Sequence, residues 1–166
     1  PKQLWAVPLA AGFGGPSVLG GEVFILDRIE EGKDTLRCLD LKDGKELWTF
    51  SYDAPGKFSF PCSRATPTLT EKTVYLVGPM GHLHCLDRAS RAPLWSKHLI
   101  TDFGGELPTW SVSQSPLLYG DLVIVAPQGS QAGVAALKAD TGELVWKSPS
   151  LGPLSYCSPV LARLGL

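Results

Sequence analysis

The chain repeats itself, and this constrains its fold more than any other feature. "LRCLDLKDGKELW" (Leu36 to Trp48), "GHLHCLDRASRAPLW" (Gly81 to Trp95) and "GVAALKADTGELVW" (Gly133 to Trp146) share one order: an apolar run, a polar turn, a Trp. Each follows a Pro-led run: "PSVLGGEVFIL" (Pro16 to Leu26), "TPTLTEKTVYLVG" (Thr66 to Gly78) and "SPLLYGDLVIVAP" (Ser115 to Pro127). Partial copies flank them, "QLWAV" (Gln3 to Val7) and "SPVLA" (Ser158 to Ala162). The four repeat tryptophans, Trp5, Trp48, Trp95 and Trp146, are 43, 47 and 51 residues apart. That is the period of a four-stranded propeller blade.

Within each copy, short runs rich in β-branched residues lie between Gly, Pro and Asp turns, and helical periodicity is missing. The expected fold is therefore all-β: a β-propeller of four-stranded antiparallel blades forming an incomplete arc. The whole chain, 1–166, reads as one propeller segment. Blades are expected at about 16–50, 67–99 and 116–148, with partial blade strands at 3–9 and 158–166. Asp40, Asp87 and Asp140 are turn residues of the repeat, and Gly44 and Gly142 supply the positive φ such turns need. The second copy has Ser90-Arg91-Ala92-Pro93 where the others have Gly, which predicts a longer or irregular hairpin there. Each Trp is expected to cover a seam between neighbouring blades.

Three complete blades do not close a ring. The chain is expected to be a segment of a longer reading frame whose remaining blades finish the propeller, or else to associate with copies of itself. It begins at Pro1 without a charged-then-apolar leader. The net charge is -1 and no basic stripe occurs, which argues against nucleic acid as partner. No apolar run is long enough for a transmembrane helix. The four Cys form no C-x-x-C pair, and the absence of Asn excludes N-glycosylation.

Loop lengths point to a face. From each repeat Pro to its Trp the distance is nearly constant, 32, 28 and 30 residues, whereas from Trp to the next Pro it is 11, 19, 21 and 13. Insertions confined to one face mark a binding face. Arg64, Trp110, Ser113 and Tyr156 lie just before inner strands on that face and are the candidate ligand or partner residues. Arg64 suits a carboxylate or phosphate, and Trp110 a flat ligand. The plainer alternative pairs Arg64 with a loop acid and packs Trp110 into its loop.

Other candidates weigh less. His82 and His84 share a strand face and form two-thirds of a metal site, but the other copies carry ordinary residues there, so core or surface histidines are favoured. Cys38 and Cys85 share one repeat position, where the third copy has Ala136, and read as small buried hydrophobes. Cys62 and Cys157 lie in loops, with no pairing readable. No nucleophile-elbow, zincin or P-loop motif occurs, so no catalytic residue and no metal ligand is assigned.

At "ALKADTGELVW", "CLDLKDGKELW" and "CLDRASRAPLW" the sequence resembles the pyrroloquinoline quinone (PQQ)-type β-propeller repeat, and the resemblance covers almost the whole chain. That family includes quinoprotein dehydrogenases and the lipoprotein that assists outer-membrane β-barrel assembly. The resemblance implies a non-enzymatic scaffold or binding module of the bacterial cell envelope, periplasmic or secreted, without cofactor, meeting a protein or polymer partner through one propeller face. The alternative is a fragment of a quinoprotein alcohol or polyol dehydrogenase that uses PQQ with calcium; a third is a sensor propeller fused to another domain. The dehydrogenase pattern implies a stacking Trp and amide or carboxylate calcium ligands. This chain has no Asn and no vicinal Cys pair, and only Trp110 stands outside the repeat positions.

Overall fold

The computed structural model describes residues 2–57 and 62–163. The expected tail of the second partial strand, 164–166, and part of the first long loop, 58–61, lie outside them. Among the described residues, twelve strands form three sheets, each wound in chain order with antiparallel neighbours. The first sheet holds β1 (Ser17–Leu19), β2 (Glu22–Asp27), β3 (Lys33–Asp40) and β4 (Glu46–Asp53). The second holds β5 (Thr68–Leu69), β6 (Thr73–Val77), β7 (His82–Asp87) and β8 (Pro93–His98). The third holds β9 (Leu117–Tyr119), β10 (Leu122–Val125), β11 (Ala135–Lys138) and β12 (Leu144–Lys147). This is a three-bladed, unclosed arc of a β-propeller. No helix among the described residues is long and apolar enough to cross a membrane.

Two apolar seams hold the arc together. Phe24, Leu26, Leu36, Cys38 and Trp48 of the first sheet pack on Val74, Leu76 and Leu86 of the second. Tyr75, Val77, Leu83 and Cys85, from the other face of the second sheet, pack on Val123, Val125, Ala135 and Leu137 of the third. A middle strand sandwiched between two seams has no polar face, which is why β6 reads "TVYLV" without alternation. Cys38 and Cys85 are buried in these seams as free thiols. Burial, with Glu22 adding to it, pushes the Cys38 thiol up to about 12, and burial pushes Cys85 up to about 11.

Trp5 and Trp95 cap the outer rim by one repeated device, whereas Trp48 at the first seam meets Arg91 instead of a turn glycine. Trp5 Nε1 donates to the Leu41 carbonyl at 2.8 Å, and Trp95 Nε1 to the Ala139 carbonyl at 3.0 Å. Each ring lies on the turn glycine of the next sheet. A Cβ on Gly44 would stand 2.7 Å from Trp5 Cε3, and one on Gly142 2.7 Å from Trp95. Both glycines also hold positive φ, 74° and 71°.

The turn of the second sheet differs from the expectation. It is neither longer nor irregular. Arg91 N–H donates to the Asp87 carbonyl and Asp87 N–H to that of Ala92, matching Gly44 to Asp40 and Asp40 to Lys45 in the first sheet. Arg91 takes the glycine position with φ 64°. Its guanidinium stands over the Trp48 ring at 6.0 Å, and this contact with the preceding sheet accompanies the left-handed backbone. Asp40 caps its turn through Lys42 N–H, and Asp87 through Ser90. The matching residue of the third sheet is Lys138, which donates to Glu143 O; Asp140 falls two residues further on, and the Thr141 hydroxyl accepts the Glu143 N–H.

At the inner rim, the Ser/Thr-Pro dipeptides of the repeat link sheet to sheet. Gly15 N–H donates to Thr66 Oγ1 at 3.1 Å, Thr66 N–H to Ser115 Oγ at 2.9 Å, and Ser115 N–H to Ser158 Oγ at 2.8 Å. Pro locks its predecessor extended and has no N–H of its own, so the preceding amide is turned toward the neighbouring blade. The hydroxyls of Ser17 and Thr68 donate in the same direction along the arc, to the Pro67 and Pro116 carbonyls of the next sheet.

Residues 3–9 and 158–163 take the flanking positions without forming a ladder. Trp5 sits on the first sheet as Trp95 sits on the third, and Arg37 Nη1 donates to Pro8 O. Ser158 accepts from the third sheet as Ser115 accepts from the second. A strand needs a paired neighbour, and the middle strands that would pair with these stretches are not among the described residues.

Candidate functional site

The connections from each outer strand to the next inner strand share a rim with the β2–β3, β6–β7 and β10–β11 loops. Burial anchors the 99–116 connection to that rim. Val112 N–H donates to Pro79 O in the β6–β7 turn, and Ser111, fully buried with φ 64°, bends the chain there. Gln114 is fully buried as well. Its side-chain amide takes the Ala126 N–H at 2.7 Å and donates to the Ala126 carbonyl at 2.9 Å, like a strand partner. Nothing in the sequence separates this Gln from a surface one.

This anchoring gathers three of the four candidate residues. Arg64 Nε donates to Ser111 Oγ at 2.8 Å, and its guanidinium lies 5.0 Å from the Phe13 ring. Beside Ser111, the Trp110 ring meets Tyr156 at 5.3 Å between centroids, and its backbone N–H points to the Tyr156 hydroxyl at 3.4 Å. Trp110 is 51% exposed, Tyr156 40% and Phe13 69%. Arg64 thus sits on a hydroxyl and a ring, and Trp110 packs its loop while keeping half its surface in water. Ser113 lies half-buried on the approach to β9. Phe13 and Ser111 were not singled out in the sequence: both sit in stretches that match no repeat position.

The histidines lie elsewhere, at the seam of the first two sheets. His84 stacks parallel to His82 (6.2 Å, 3°) and wedges against Tyr52 at 4.3 Å and Phe50 at 5.4 Å across the seam. Neither nitrogen of His84 has a hydrogen-bond partner among the described residues. Burial lowers His82 and His84 to about 4, so both rings are neutral at neutral pH. Below them, Arg28 Nη1 and Asp34 Oδ1 form a buried ion pair at 2.6 Å, and Arg28 Nη2 reaches Ala54 O at 2.9 Å. Burial raises the Asp34 carboxyl despite Arg28, which opposes the rise.

Among the described residues, no three His, Cys, Asp or Glu side chains converge on a metal position. The Gln114 amide is spent in both directions on Ala126, and one edge of Trp110 is taken by Tyr156.

A family model described as outer membrane protein assembly factor BamB matches residues 2–155. No curated protein sequence matches the chain. Among solved structures, BamB from Moraxella catarrhalis superposes with TM-score 0.54 at 21% identity, over 85% of this chain and 39% of that one. The quinohemoprotein alcohol dehydrogenase from Comamonas testosteroni superposes with TM-score 0.62 at 19% identity, over 85% of this chain and 21% of that one. The computationally designed Ika4 protein gives 0.58 at 11% identity, over 89% of this chain and 79% of that one. The chain therefore spans well under half the length of the natural structures it resembles, and at these identities the likeness is one of fold. With a family match over nearly all of its residues, this chain belongs to the BamB-type, PQQ-like β-propeller repeat family.

Proposed function

We propose that the chain is a scaffold or binding segment of a bacterial cell-envelope propeller, periplasmic or secreted, without catalysis or cofactor of its own. Its partner is a protein, or another polymer, docking on the rim of the long connections. One observation carries this reading: on the rim where loop length varies, exposed Phe13 lies under the Arg64 guanidinium, and exposed Trp110 and Tyr156 pair next to Ser111, which Arg64 bonds. Aromatic and Arg side chains are the usual anchors of protein interfaces. The family description adds the class of partner, a component of outer-membrane protein assembly.

The test is site-specific photo-crosslinking from positions 13, 110 and 156 of the full-length protein in its own cells. The reading expects crosslinks to an outer-membrane assembly component, lost on Arg64→Ala. Crosslinks equally strong from the opposite rim, for instance from position 42, would refute it. The second reading, a segment of a quinoprotein dehydrogenase, draws on the TM-score of 0.62 to such an enzyme. It expects quenching of Trp110 fluorescence when PQQ and calcium are added to the full-length protein, and no quenching in Trp110→Phe.

A further inference from the structure

We infer that Met80, His82 and His98 form a binding site for a soft monovalent metal ion of the Cu(I) or Ag(I) class, at the rim of the second sheet. The three side chains line one cavity of about 270 Å³, together with Pro55, Ile100 and Leu107. His82 opens β7 and His98 ends β8, and the two are register partners, so their rings stand together at 4.5 Å and 68°. Met80 is held beside them by the loop across the seam. Gly56 (φ 153°) faces the thioether so closely that a Cβ there would stand 2.8 Å from the sulfur.

The donor set decides the class of ion. One thioether and two imidazoles suit a soft cation of low coordination number, whereas hard divalent ions take carboxylate and carbonyl oxygen. Among the described residues, no carboxylate lines the cavity. Asp102, four residues after His98, accepts the His98 backbone N–H at 2.9 Å. His82 Nδ1 is buried with no hydrogen-bond partner among the described residues, so this ring has a nitrogen to give at no hydrogen-bond cost. The His98 ring is oriented by long contacts from the Ile100 and Thr101 N–H groups to its Nδ1, 3.3 and 3.4 Å. Metal binding at Nε2 moves the proton of the neutral ring to Nδ1 and gives up these two contacts. Burial lowers both histidines, so each ring is a neutral ligand at neutral pH.

Met80 is the single methionine of the chain, so its methyl resonance is an unambiguous reporter. The experiment titrates Ag(I) into the whole chain, labelled at the Met methyl and carrying Cys157→Ser to remove the exposed thiol. The expected result is a Met80 methyl shift together with shifts of the His82 and His98 ring protons, complete at one equivalent. Met80→Leu, which keeps the volume, should weaken binding about ten- to a hundredfold, and His82→Gln should do the same. A methyl signal that stays in place at one equivalent overturns the proposal, because the silver then sits on the remaining thiols. So does a Met80→Leu affinity equal to that of the parent, or full displacement of Ag(I) by equimolar Zn(II).

Discussion

If Trp95 lies on the turn glycine of the third sheet, two glycines of that sheet should respond unequally to alanine. Gly120 and Gly142 both hold positive φ, 60° and 71°. Moving an L-residue into that region costs roughly 1 kcal/mol at either site. The surroundings differ. A Cβ at Gly120 meets nothing within 4 Å, whereas at Gly142 it stands 2.7 Å from Trp95 Cδ2 and Cε3. Relieving that overlap costs roughly 1–3 kcal/mol. If the indole tilts away, its bond to Ala139 O goes too, at about 1 kcal/mol. Gly120→Ala should therefore lose about 1 kcal/mol and Gly142→Ala about 3. Urea unfolding of both variants, with the Trp95 environment followed by fluorescence, measures the difference. Equal losses would refute the stacking argument and leave only the backbone requirement. Arg91→Gly supplies the complementary case. It relieves about 1 kcal/mol of left-handed backbone and gives up a cation–π contact of similar size, so its stability should stay within about 0.5 kcal/mol of the parent.

Other consequences follow from burial. Asp34→Ala should destabilise by about 3–5 kcal/mol in the same unfolding assay, because Arg28 stays buried without its carboxylate; a loss under about 1 kcal/mol would mean that Arg28 reaches water. Ser115→Ala strands the Thr66 N–H at the inner rim and should cost about 1–3 kcal/mol, with faster hydrogen exchange at that amide. In native protein at pH 8, a thiol reagent should modify the exposed Cys157 first. Cys38 and Cys85, raised to about 12 and about 11, have almost no thiolate there and gain it only as pH approaches those values; labelling of either at the Cys157 rate would contradict their burial.

The sequence by itself determined the architecture, because a propeller is a repeat and a repeat is visible as self-similarity. Trp spacing, turn glycines and Pro-led strands each encode a contact that recurs, so one alignment of the chain with itself carries the strand order of all three sheets. Where a repeat position was filled by an unlike residue, the sequence misled. Arg91 made the second turn look irregular, yet the next-door ring of Trp48 accompanies an Arg in a glycine's conformation. The role of the Ser/Thr-Pro dipeptides was hidden for a related reason. Thr66, Ser115 and Ser158 act on the neighbouring blade, roughly fifty residues away, and no local pattern records that.

The sites depended on tertiary structure more strongly still. Loop-length variation pointed to the rim, but only the anchoring of Ser111 and Val112 brought Trp110, Tyr156, Arg64 and Phe13 together. The histidine spacing drew attention to His82 and His84. The pairing of β7 with β8 joined His82 instead to His98, and the loop across the seam added Met80. Side chains that share a cavity come from strand ends and loops of different blades, and their meeting is set by how sheets stack, a quantity that sequence periodicity does not contain.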